Sequence, residues 1–176
     1  RSSWVGRSTI VGAGVTMDVG RAEVYSAETA AFDGTDLESV QPFAAVAGAI
    51  DAVVAGVWWP GPAVRVVAAR SDATSSSARR VDGDATMIRL AGEQTTLATA
   101  AHELAHALAG PAAGHSAVFR AAYLDVVAVI TNIDTLDRRH HLHVDQLRAA
   151  FAAAGLPVGL RRWPTPPEWT DTAIAL

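Results

Sequence analysis

The apolar positions of this chain fall into blocks with different periods. "AEVYSAE" (22–28) carries β-compatible residues and predicts a first strand. "FDGTD" (32–36) predicts a turn. Between Leu37 and Val57 the positions Val46, Ala49, Ile50, Val53, Val54 and Val57 recur at helical spacing. Pro42 is tolerated in a first turn, so one helix is expected there. "WWPGP" ends it, because Pro and Gly do not continue the helical ladder. "AVRVVAA" (63–69) and "ATMIRLA" (85–91) predict strands by their branched content, joined by the polar, exposed connection "RSDATSSSARRVDGD" (70–84). Helices follow at about 95–109, 116–131 and 144–154. Residues 1–20 read as a loose Gly- and Ser-containing lead-in, and 157–176 as an irregular Pro-rich C-terminal tail. Strands early and helices late predict one α+β domain over 21–156.

Composition narrows the function. Half of the 176 residues are apolar, enough for a sizeable core in one domain. No apolar run reaches the roughly 20 residues of a membrane helix. The formal net charge is −4 with no basic block, which argues against a nucleic-acid partner. The chain has no Cys, so any metal must be held by His, Asp or Glu. The segment Arg1–Gly20 is a poor signal peptide, because glycines and Asp18 break its weak apolar stretch. A cytoplasmic protein is therefore expected.

The chemistry concentrates in "TTLATAAHELAHALAGPAAGHSAVF" (95–119). Thr95 or Thr96 suits the N-cap of a helix, and Gly110 followed by Pro111 stops it. Leu97, Ala101, Leu104 and Leu108 form one apolar stripe, which is expected to face the core. His102 and His106 lie on another face, one turn apart, where two imidazoles can reach one ion. Glu103 is turned about 100° from His102 around the helix. It therefore stands beside the ion rather than on it, able to take a proton from water. A catalytic zinc needs a third protein ligand and an open position. Two residues compete for that place: His115, after the short loop "PAAG", and Asp125, on the following helix.

The stretch "HELAHALAG…GHSAVFRAAYLDVV" resembles the SprT-like zinc metallopeptidases, in which HExxH is followed, after a short loop, by a His and then an aromatic. It is similar also to a small related group of uncharacterised metallohydrolases that open with "VYxAE", as "VYSAETAAF" does here. The resemblance covers roughly residues 21–155. It implies that His102, His106 and His115 are zinc ligands, that Glu103 is catalytic, and that Phe119 packs behind the third ligand. Ala117 stands where Pro is usual in the family, and no Cys-rich zinc ribbon is present, so the DNA-linked role of some relatives is not expected. The fold implied is a small zincin-like domain: a short twisted sheet, an early packing helix, the HExxH helix and C-terminal helices.

These readings converge on a zinc-dependent peptidase acting on a peptide or protein substrate. A zinc-bearing interaction module that cleaves nothing is the alternative. "ATMIRLA" is expected to be the edge strand along the cleft, open to pairing with an extended peptide. "RRHHLH" (138–143) reads as a solvated linker rather than a second metal site. Arg79 and Arg80 read as solvated charge, Tyr123 as packing rather than an oxyanion donor, and Trp58 and Trp59 as anchors for element ends.

Overall fold

A computed structural model describes residues 20–81, 83–132 and 139–167, leaving aside the side chains of 139–141. Five helices and three strands are present among them: α1 (Arg21–Phe32), α2 (Phe43–Ala55), β1 (Val64–Ala68), β2 (Ser77–Arg80), β3 (Thr86–Leu90), α3 (Leu97–Ala109), α4 (Ala117–Ile130) and α5 (Arg139–Ala153). The α+β class expected from the sequence is observed. Most of the lead-in and residues 168–176 of the tail lie outside the described residues, as does Arg138 of "RRHHLH".

The first element departs from expectation. The stretch 22–28 is helical and belongs to α1. Its buried residues Val24, Ala27, Glu28, Ala31 and Phe32 follow an i, i+3, i+4, i+7, i+8 pattern, a helical face that outweighs the β preference of Val24 and Tyr25. The expected 37–57 helix begins later, at Phe43, with Pro42 as N-cap; Leu37 sits in a separate 3₁₀ turn, Asp36–Glu38. The residue preceding a proline is pushed out of the α region, which breaks the run at Gln41.

The sheet order is β1-β3-β2, with β1 parallel and β2 antiparallel to β3. β3 is therefore the central strand rather than the edge expected of it, and β2, a strand the sequence pattern does not predict, is an edge. β2 lies in the supposed exposed connection. Its Ser and Arg residues carry no alternating apolar signal, so the strand is held by its surroundings. The Val81 amide donates to the Ala85 carbonyl at 2.9 Å to close the β2–β3 hairpin. Ahead of β2, the Gln94 side chain accepts from the Ser76 amide at 2.7 Å, and Ser76 Oγ accepts from the Ala91 amide at 3.0 Å.

α3 runs through the middle of the domain, against α4 on one side and the buried face of β2 and β3 on the other. Ala100, Ala101, Leu104 and Ala105 are wholly buried, and the small alanine side chains let α4 approach closely. α5 packs on α1 and α4, contributing Leu147 and Phe151 to the core. Its start includes part of "RRHHLH": His143 is buried, with Nε2 3.1 Å from Asp36 Oδ1, so that residue is not solvated as the sequence suggested. Residues 156–164 form a strap across α4. Arg120 Nε donates to the Pro157 carbonyl, the Gly159 amide donates to the Ala117 carbonyl, and Trp58 Nε1 donates to the Pro164 carbonyl. A side chain at Gly159 would meet Ala117 backbone at 2.8 Å, so glycine is needed for this close approach.

Candidate metal centre

Local sequence sets up α3. Thr96 is the N-cap, its hydroxyl accepting from the Thr99 amide at 3.1 Å. Gly110, at φ 90°, ends the helix in a conformation other residues resist. The chain then turns through 111–116 and re-enters as α4, with Ser116 at the N-cap position. This return carries His115 back over the face of α3 that presents His102 and His106.

The three imidazoles converge. His106 Nε2 lies 3.1 Å from His102 Nε2, and His115 Nε2 lies 3.2 Å from that same atom. Candidate ligand atoms of all three residues fall within 4.8 Å of one another. An ion bound tetrahedrally at 2.0–2.1 Å would set its nitrogen ligands about 3.3 Å apart. The cluster fits a metal ion with little movement. His102 and His115 are buried, while His106 is half-buried and borders the cleft.

Aromatic rings hold the cluster from behind and above. Phe119, fully buried, packs against His106 and His115 at centroid distances of 4.3 and 4.9 Å. Tyr25 stacks on His102 at 5.3 Å, nearly parallel, with the Arg21 guanidinium over its outer face. Arg120 donates to the His115 carbonyl at 2.7 Å, tying the returning loop to α4.

Glu28 was not singled out by the sequence pattern. Its Oε1 lies 2.8 Å from His102 Nδ1 and also accepts the Tyr123 hydroxyl at 2.5 Å. Tyr123 is fully buried, so the packing role expected for it holds, with this hydrogen bond added. Burial, then Glu28, raises the Tyr123 pKa well above its ordinary value and keeps the hydroxyl a donor. For His102, burial favours the neutral ring, but the hydrogen bond and charge of Glu28, with help from Glu103, raise its pKa overall.

Glu103 sits at the cleft wall with only 7% of its surface exposed. Burial pushes its carboxyl from 4.5 up to about 7, against the opposing pull of charged His102, the Ala78 backbone N–H and Arg21; Glu28 adds to the rise. A carboxyl titrating near neutrality can both accept and return a proton at physiological pH. The cleft in front of it has a volume of about 580 Å³ and is bordered by β2 from Ser77 to Arg80, by Arg21 and Tyr25 of α1, and by the Pro111–His115 loop. Arg79 and Arg80 thus line the cleft, though both remain exposed.

Asp125 takes no part in the cluster. Its carboxylate is buried and accepts from Arg161 Nε at 2.6 Å, Arg161 Nη2 at 2.9 Å and Trp163 Nε1 at 2.9 Å. It anchors the strap. Comparison of the chain with protein-family models, curated proteins and solved structures finds no match. What the fold and site define by themselves is an α+β domain with three histidines arranged to bind a metal ion beside a buried carboxyl.

Proposed function

We propose that this chain is a zinc-dependent metallopeptidase of the SprT-like kind, with a zincin-like fold. The observation that carries the reading is the buried Glu103 carboxyl in the wall of an open cleft, beside three converging imidazole nitrogens. An all-imidazole set with an open side suits a catalytic zinc, with His102, His106 and His115 as ligands. Bound there, the ion supplies Lewis acidity toward water and the scissile carbonyl. Glu103 accepts the proton of the attacking water and delivers it to the departing amine. β2 offers an edge along which an extended peptide can lie, its main chain pairing with the strand.

The test combines metal analysis with cleavage of a peptide library. The parent should carry one zinc per chain and cleave a subset of peptides. Glu103→Gln should keep its zinc and lose about 10²–10⁴-fold in rate. A parent that holds zinc and cleaves nothing would replace this reading with the non-cleaving zinc-bearing module. A parent that binds no zinc would remove both.

A further inference from the structure

Two residues of α1, three positions apart, grip His102 from different sides. Tyr25 covers the face of its ring and Glu28 meets its Nδ1 edge. Residues at that spacing share a helix face. Glu28 is also an expensive residue to place there. Its side chain is 12% exposed, in a helix whose other buried members are Val24, Ala27, Ala31 and Phe32. A carboxylate taken out of water needs compensating donors, and it receives two on one oxygen: His102 Nδ1–H and the Tyr123 hydroxyl. Packing alone would be met by an apolar residue.

We propose that Glu28 is a positioning residue of the metal centre. Its carboxylate, oriented by Tyr123, holds His102 in the tautomer that leaves Nε2 free to bind, aimed at the point it shares with His106 and His115. The inference rests on the three-histidine metal reading and deepens it. An ionised carboxylate offers only acceptors, so the ring must present Nδ1–H to it, and Nε2 is left with its lone pair. The hydrogen bond also increases the donor strength of Nε2 toward a cation. Tyr25 limits rotation of the ring about its own axis by stacking, and Tyr123 limits rotation of the carboxylate. The contacts join α1, α3 and α4 across 74 and 95 residues of sequence, so the ligand's aim depends on how three helices pack.

The experiment measures zinc affinity by competition with a chromophoric chelator, for the full chain and for Glu28→Ala, Glu28→Gln and Tyr123→Phe. Circular dichroism and thermal melts of each metal-free protein accompany it. Loss of such a partner typically weakens metal binding about 10–100-fold. Glu28→Ala should fall in that range. Glu28→Gln, which keeps an acceptor but not the charge, should lie between it and the parent. Tyr123→Phe keeps the ring and should weaken binding by a smaller factor, even if Glu28→Ala folds poorly. Cobalt-substituted Glu28→Gln should also show an altered visible spectrum, which a purely structural role for Glu28 would leave unchanged. Parental affinity and spectrum in Glu28→Gln and Tyr123→Phe, with only melting temperatures lowered, would overturn the proposal and leave the three-histidine site standing. Failure of the parent itself to bind zinc would instead remove the metal reading on which it rests.

Discussion

Glu103 should make the metal-free protein less stable as pH rises, and Glu103→Gln should remove its share of that dependence. The carboxyl titrates near 4.5 in the unfolded chain and at about 7 in the fold, chiefly because it is buried. Between those values the native state holds the proton more often than the unfolded state does. Stability therefore falls as pH rises through this window. Below pH 4.5 both states are protonated and there is no penalty; above 7 the penalty is complete. Each pH step between the two values costs about 1.4 kcal/mol, so the whole interval costs about 3 kcal/mol. Gln is nearly isosteric, can still accept from Ala78 N–H and does not titrate. Glu103→Gln should match the parent at pH 4 and exceed it by about 3 kcal/mol at pH 8. Urea unfolding with a chelator present reads this as a midpoint difference growing to roughly 1–2 M. A difference that stays constant from pH 4 to pH 8 would refute the argument that burial sets the Glu103 pKa.

Three further outcomes follow from the geometry. His106→Ala and His115→Ala should each abolish tight zinc binding, while Asp125→Ala should keep zinc and lose about 1–3 kcal/mol in urea unfolding; its partner Arg161 is half-exposed and can return to water, which limits the loss. Zinc loss in Asp125→Ala alone would overturn the ligand assignment. Thr96→Ala should cost about 1 kcal/mol by removing the N-cap of α3, and Thr96→Ser should restore most of it. Gly159→Ala should destabilise by about 1–3 kcal/mol, because its methyl would press on Ala117 backbone, and proteolysis should then cut the strap sooner.

What the sequence determined by itself was the chemistry confined to one helix and its exit. The i, i+4 spacing of His102 and His106, the Thr96 cap and the Gly110-Pro111 stop are local; His115, one of two candidates the sequence left for the third place, lies with the pair in the fold. β1 and β3 were legible from their branched residues and the later helices from the spacing of their apolar positions, with boundaries off by up to five residues. α1 was misread because Val24 and Tyr25 favour strands, although the buried spacing over 24–32 was available as a signal. β2 had only the Asp-Gly pair at 82–83 to announce a hairpin; otherwise Ser and Arg residues carry no face preference, and β3 imposes extended structure on them. The choice of β2 rather than β3 as the edge along the cleft was likewise a matter of sheet order. Asp125 could be read as a ligand or a solvated acid until the strap brought Arg161 and Trp163 to it from 36 and 38 residues away. Glu28 meets His102 only because α1 and α3 pack together. Periodicity along one helix records which residues share its face, whereas the partner that face meets is decided by the packing of elements distant in sequence, and the Glu28–His102–Tyr123 contact belongs wholly to that second kind.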